Sequence, residues 1–271
     1  MKITIITACR NAAATLKATL ESVRRQRREG YELEYVVADG ASTDGSAELI
    51  RAFAADAPKD LTVKWLSEPD RNMYDGVNKG IRLATGDIVG ILNSDDVFAS
   101  DDVLERVAAF WRENPDIDLS YGDVRFSVRG DYATVDALRQ AKTKRYLTGR
   151  FFRKWMFRFA TFPAHPSTFV RRTCYERYGL HSLEYRICAD FEMMLRLIVK
   201  HGVKTRYLPL CTTVMRPDGL STNGLKSKLA VNAQDLAALR ANGVWSCRPF
   251  IYSKYLFKIW GYVFTGRRNV V

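Results

Sequence analysis

Two adjacent carboxylates, Asp95 and Asp96, follow Asn93 and Ser94 directly after an apolar run, residues 88–92. Like charges side by side raise each other's pKa, and a divalent cation relieves that repulsion. The pair therefore points to Mg²⁺ or Mn²⁺, hard ions that take carboxylate oxygens and bridge to phosphates. Asp95-Asp96 also suits a helix cap beside Asp101 and Asp102, and spacing alone leaves both readings open. A second cluster, Asp39-Gly40-Ala41-Ser42-Thr43-Asp44-Gly45, reads as a turn and helix cap, or as a carboxylate accepting a hydrogen bond from a nucleotide base. A third, residues 68–75, gathers charge in front of a helix that carries Asn78 and Lys79.

Short apolar runs alternate with amphipathic stretches through the first half of the chain. That pattern predicts strands and crossover helices in a mostly parallel sheet. Strands are expected at 3–7, 33–38, 61–66, 88–92 and 119–126, and helices at 13–25, from an Asp44 cap through Phe53, at 74–84 and at 101–112. In open parallel sheets, ligands bind beyond the carboxyl ends of the strands, where Thr7, Asp39 and Asp95 fall. Further on, a helix over 190–201, a strand over 205–208 and a helix over 226–241 precede an aromatic tail.

The net charge of +12 is local. Ten basic residues and no acid lie between Ala137 and Tyr175, and four more, again without an acid, follow Pro249. The other 28 basic residues are balanced by 30 acidic ones. Over 147–159, Leu147, Phe151, Phe152, Trp155, Met156 and Phe159 would share one helical face, with Arg150, Arg153, Lys154 and Arg158 on or beside the other. Such a helix lies on anionic lipid or packs internally, and the tail over 249–264 repeats the composition. Five widely spaced cysteines fit neither a disulfide framework nor a zinc site, which suggests a reducing cytoplasm. Met1 leads into a strand-like run rather than a signal peptide, and no apolar stretch reaches membrane-spanning length, so a soluble or peripheral protein is expected.

The ordered series ITACRN (6–11), DGASTDGS (39–46), SEPDRNMYDGVNKGI (67–81), ATGDIVGILNSDD (84–96), HPSTFVRR (165–172) and ADFEMMLRL (189–197) resembles glycosyltransferase family 2. Within it, the series is similar to the non-processive bacterial enzymes of exopolysaccharide, colanic-acid-type and O-antigen synthesis. The resemblance implies an α/β fold of GT-A type, with a Rossmann-like, mostly parallel sheet flanked by helices. It also implies an inverting mechanism and a diphosphate-bound Mn²⁺ or Mg²⁺. The catalytic domain would span 1–212, with a nucleotide-sugar-binding half (1–126) and an acceptor-binding half (127–212) containing the basic aromatic insert 137–175. A helical extension over 213–271 would follow, with a possible contact to a membrane surface.

Carried over residue by residue, the resemblance places Thr7 and Asp39 at the donor's base, with Ala8 and Arg10 also among the donor-binding residues. Arg71, Asn78 and Lys79 approach the donor, and so do Asn93, Ser94 and Asp95. Asp95 or Asp96 holds the metal, and Asp190 is the catalytic base, a role compatible with capping its helix. His165 could touch the acceptor, the diphosphate or the metal, or simply pack. Asn93 stands where the family has a leading acid, which leaves the metal-holding aspartate open. The Gln/Arg-x-x-Arg-Trp of processive synthases is absent. UDP is the first expectation for the nucleotide, because Asp39 could accept from the uracil imide, although guanine also offers donors. The expected acceptor is a saccharide on polyprenyl diphosphate at the inner face of the cell membrane. A nucleotidyltransferase would want a glycine-rich loop where Thr7-Ala8-Cys9-Arg10-Asn11 stands. A nucleic-acid-binding module would leave Asp95-Asp96 without a role, and no nucleic-acid partner is expected.

Overall fold

The computed structural model describes residues 1–130, 132–217 and 224–263, without the side chains of 224–228 and 256–263. The first strand, β1 (Lys2–Cys9), is followed by α1 (Ala13–Arg24), β2 (Glu32–Asp39), α2 (Ser46–Ala55), β3 (Leu61–Ser67), α3 (Met73–Leu83) and β4 (Ile88–Ile91). Then come β5 (Val97–Phe98), α4 (Val103–Glu113), β6 (Leu119–Ser127), α5 (Val135–Gln140), β7 (Thr143–Leu147), a 3₁₀ turn (Lys154–Phe159) and another (His165–Ser167). The chain continues through β8 (Thr168–Arg171), α6 (Arg172–Tyr178), α7 (Ala189–Leu195), a π turn (Arg196–Lys200), β9 (Thr205–Met215), α8 (Gly224–Ala241) and α9 (Arg248–Val263).

All strands join one nine-stranded sheet in the order β3-β2-β1-β4-β8-β6-β9-β5, with β7 on β6. The run β3-β2-β1-β4 is parallel, as the alternating pattern predicts. Beyond it the sheet is mixed: β8 inserts antiparallel between β4 and β6, while β6 and β9 are parallel. Strands covered on both faces read as near-continuous apolar runs, which is why β1 and β2 are buried almost throughout. On one face, Ile3, Ile5, Leu33, Tyr35 and Val37 pack under Leu16 and Leu20 of α1, Ile50 of α2 and Val107 of α4. On the other, Ile6, Val36, Val89 and Ile91 meet Val77 and Ile81 of α3, Phe191 of α7 and Leu239 of α8.

Several expectations change. Residues 147–159 do not form one amphipathic helix. Leu147 ends β7, where it pairs with Val124. The chain then turns at Gly149, whose N–H donates to Asp123 at 2.9 Å and whose absent Cβ would lie 2.7 Å from the Tyr121 ring. Phe152 and Phe157 are buried, while Phe151 and Trp155 point outward. The expected strand over 205–208 extends to Met215, past a register shift against β6. A boundary at 212 would therefore cut β9. The helix expected over 190–201 is α7 continued by the π turn. Asp44 serves two helices: it accepts from the Ala13 N–H (2.9 Å) at the start of α1 and from the Ser46 N–H (3.1 Å) at the start of α2. In the aromatic tail, Leu256, Lys258, Ile259, Trp260, Phe264, Arg267 and Arg268 lie outside the described side chains or residues.

Candidate active site

The carboxyl ends of β1, β2, β3 and β4 form one rim. The loops after β1 and β2 are stitched to each other there. The Asn11 amide oxygen accepts from Thr43 N–H (2.9 Å), Ser42 Oγ accepts from Asn11 N–H (2.8 Å), and Ser46 Oγ accepts from Ala12 N–H (2.9 Å). Asn11 and Ala41 adopt left-handed backbone conformations (φ 51° and 55°), a geometry that alanine adopts at a cost and that these bonds hold in place. Arg10 is exposed on this rim, and Ala8 is half-buried.

Asp39, at the end of β2, is fully buried. Its carboxylate accepts from the Ser42 N–H (3.1 Å), the Ser42 hydroxyl and the Ser67 hydroxyl (2.6 Å), with the Cys9 thiol at 3.7 Å. Burial first, and then the Asp39 charge, push the Cys9 thiol up, so it stays protonated and donates. The Thr7 side chain makes its contacts within the protein. Fully buried, it donates to the Leu92 carbonyl (2.8 Å) and accepts from the Tyr35 hydroxyl (3.0 Å), which ties β1 to the end of β4. The Thr7 hydroxyl thus has a structural task, beside the base contact expected of that position.

The loop after β3 is clamped from α3. The Lys79 ammonium donates to Asp70 (2.6 Å) and the Pro69 carbonyl (2.7 Å), with Glu68 at 3.1 Å. The Asp70 carboxylate fits because two glycines make room for it. A Cβ on Gly40 or Gly76 would lie 2.9 or 2.8 Å from its Oδ2. Lys79 is thus spent on the loop, whereas Arg71 is exposed and its guanidinium makes no hydrogen bond or ion pair among the described residues. Asn78 is engaged within the protein as well. It is buried and spends its amide on the His181 backbone, donating to the carbonyl (2.8 Å) and accepting from the N–H (2.9 Å).

Asp95 and Asp96 occupy different surroundings. Asp96 is only 1% exposed, and accepts from the Asn93 side-chain amide (2.8 Å) and the Arg216 backbone N–H (3.3 Å). Burial first, and then the Asp95 charge, raise its pKa well above the usual carboxylate range. Asp95 is half-buried, and no other residue donates to its carboxylate among the described residues. Burial raises its pKa, and the nearby Arg216 guanidinium opposes the rise. The Ser94 carbonyl accepts from the Thr15 hydroxyl (2.9 Å), fixing the turn on α1. Among the described residues, no group of three or more His, Cys, Asp or Glu side chains converges into a cage for a metal. One open carboxylate on the rim still fits Mg²⁺ or Mn²⁺, because such ions complete their shells on substrate phosphates and water.

Asp190, in the first turn of α7, is half-buried. Its Oδ1 accepts from the Phe191 N–H (2.8 Å) and the Tyr74 hydroxyl (3.2 Å), and that hydroxyl also reaches the Ile187 carbonyl (2.8 Å). Burial, followed by the Asp190 charge, pushes the Tyr74 phenol well up, so Tyr74 remains a donor. His165 is buried in the turn before β8. Burial lowers its pKa and the Asp190 charge opposes this, favouring a neutral imidazole. His181 stacks on Tyr74 at 5.7 Å, and burial, with His165 and Arg196, depresses its pKa to about 3.

The family profile described as Glycosyl transferase family 2 matches residues 4–179. The chain belongs to glycosyltransferase family 2. It is 31% identical over 219 residues to a PGL/p-HBAD biosynthesis glycosyltransferase of Mycobacterium tuberculosis, covering 80% of this chain and 78% of that one. Its fold is shared with the mannosyltransferase PcManGT from Pyrobaculum calidifontis, solved with GDP-Man and Mn²⁺ (TM-score 0.61, 20% identity, 97% of this chain and 72% of that one). It is also shared with S. aureus TarS 1–349 in complex with UDP-GlcNAc (TM-score 0.60, 15% identity, 100% and 77%). The match to a longer TarS structure covers 44% of that chain. This family 2 glycosyltransferase accordingly has the GT-A fold, and is an enzyme.

Several residues of this family 2 site escape a reading by residue type. Arg216, one position past β9, donates from Nε to the Asp95 carbonyl (3.0 Å) and from a terminal nitrogen to the Tyr132 carbonyl, locking the acidic turn. Reading β9 through to Met215 would have put Arg216 at a strand end on the rim. Gln234 of α8 accepts from the Ile187 N–H (3.1 Å), so the peptides leading to Asp190 are held by Tyr74 on one side and α8 on the other. Behind them, Lys254 of α9 and Asp235 of α8 form a buried ion pair at 2.7 Å, with side chains 6% and 4% exposed. Lys254→Met should cost about 3–5 kcal/mol, because Asp235 would be left buried and uncompensated. Adding Asp235→Leu should restore most of that loss. Urea unfolding measures both, and a loss below about 1 kcal/mol for the single variant would contradict the pairing argument.

Proposed function

We propose that the protein is a metal-dependent, inverting glycosyltransferase. It moves a sugar from a UDP-sugar to a saccharide acceptor carried on polyprenyl diphosphate, at the inner face of the cell membrane, in bacterial surface-polysaccharide synthesis. The reading is carried by two half-buried carboxylates: Asp95, to which no other described residue donates, and Asp190, held by Tyr74 and the Phe191 N–H. Asp95 would hold Mn²⁺ or Mg²⁺, whose charge offsets that gathering on the departing diphosphate. Asp96 is buried and engaged, and serves to shape the turn. Exposed Arg71 and Arg10 are the cations left to meet phosphates. Asp39 reads the base: a uracil imide N–H replaces one of the serine hydroxyls on its carboxylate. Asp190 accepts the proton of the acceptor hydroxyl as that oxygen attacks the anomeric carbon, while buried, neutral His165 contacts the acceptor or the diphosphate.

The complexes named above with UDP-GlcNAc and with GDP-Man and Mn²⁺ support a nucleotide-sugar and metal reading by analogy of fold. An NMR time course of transfer to a lipid-linked saccharide tests it. UDP release should require the divalent ion, and the product's anomeric configuration should be opposite to the donor's. Retention of configuration would remove the single-displacement role of Asp190.

A further inference from the structure

Trp245, Phe151 and Trp155 are among the most exposed large apolar side chains of the described residues, at 65%, 60% and 56%. They come from segments distant in sequence that the fold joins. Trp155 meets Phe159 edge-on (5.7 Å), Phe159 stacks on Phe250 (4.7 Å), and Phe250 meets Trp245 edge-on (5.5 Å). The Ser246 hydroxyl donates to the Arg158 carbonyl at 2.6 Å and pins the two segments together. The result is one aromatic ridge. Five exposed cations, Arg150, Arg153, Lys154, Arg158 and Arg248, stand in the same two segments, which contain no acid, and none of the five forms an ion pair among the described residues.

We infer that this ridge is the surface on which the protein docks to an anionic lipid bilayer. Protruding tryptophans leave a contiguous apolar patch in water, which soluble proteins rarely tolerate without a partner. Tryptophan among lysines and arginines is the chemistry of the membrane interface: the rings enter the headgroup layer and the cations meet anionic lipid. A second copy of the chain would bring two basic faces together, and charge opposes that pairing. The opposite side of the 151–159 segment faces the catalytic helix, with Phe157 against Phe191 at 5.7 Å, next to Asp190. A lipid-carried acceptor therefore meets the catalytic base one aromatic layer from the bilayer. That last step rests on the transferase reading above; the docking does not.

Cosedimentation of the full chain with vesicles tests the proposal. The chain should bind phosphatidylglycerol-rich vesicles at physiological salt and bind phosphatidylcholine vesicles roughly tenfold or more weakly. Trp155→Ser with Trp245→Ser, and separately Arg153→Gln with Lys154→Gln, should each weaken the first binding by about tenfold or more. Their thermal melts and UDP-sugar affinity should stay unchanged, since these side chains are exposed and none is placed in the donor site. Equal binding to both vesicles, no binding by the unaltered chain, or variants that bind as it does would overturn the inference. So would binding of a single-stranded oligonucleotide in place of vesicles. A chain that ignores vesicles but binds UDP-sugar with Mn²⁺ removes the docking surface alone; the reverse result removes the donor site alone.

Discussion

Asp190→Asn is expected to leave UDP-sugar binding within about twofold and to lower the transfer rate by about 10²–10⁴-fold, the range a positioned general base contributes. The substitution keeps the shape and keeps an acceptor oxygen for Tyr74 and the Phe191 N–H, which hold Oδ1 at 3.2 and 2.8 Å. What it removes is the capacity to take a proton. The loss should therefore fall on kcat, with KM for the donor little changed, the signature of an interaction realised only in the transition state. Tyr74→Phe separates positioning from proton transfer: it removes one hydrogen bond from Asp190 but leaves the base, so its loss should be much smaller. Near-normal turnover by Asp190→Asn would take the base role away from this residue.

The second large effect separates two neighbours. Asp95→Asn is expected to abolish the Mn²⁺ dependence of donor binding while leaving the unfolding midpoint almost unchanged, because no other residue donates to its carboxylate among the described residues. Asp96→Asn should retain metal-dependent binding, at reduced affinity. Its carboxylate is buried and engaged by the Asn93 amide and the Arg216 N–H, so the substitution changes the shape of the turn rather than the ion's ligand. Burial and the Asp95 charge already favour the protonated form of Asp96, so a neutral amide there is a modest change. Titration calorimetry with UDP, with and without Mn²⁺, reads both variants. If Asp96→Asn lost the metal dependence and Asp95→Asn kept it, the assignment would be reversed.

The amphipathic and apolar periodicities of the first half of the chain located β1 to β4 and α1 to α4, and hence the rim, because strands buried on both faces leave an unmistakable run of apolar residues. The second half was harder, for two physical reasons. Strands β7 and β8 are four or five residues long, and their pairing with β6 and β4 is decided by partners far away in sequence. The helical spacing of 147–159 came from residues that share a composition but not a helix, and the β6–β7 pairing overrode it. Residue type also could not tell which polar side chains serve the protein itself. Thr7 and Asn78 look like ligand contacts on the rim, yet each is consumed by backbone groups that would otherwise be buried unpaired, a cost large enough to fix them there. Arg216, Tyr74 and Gln234 act through the residues they hold, Asp95 and the approach to Asp190, and nothing in their types marks that role.

The proposed metal-dependent nucleotide-sugar site rests on Asp95 in the turn after β4. The most direct measurement is a thermal-shift series of the unaltered chain with UDP-, GDP- and dTDP-sugars, each with Mn²⁺, with Mg²⁺ and with chelator. Stabilisation by a UDP-sugar should appear with the divalent ion and disappear with the chelator. Stabilisation by no nucleotide-sugar in the presence of either ion would contradict the proposed site.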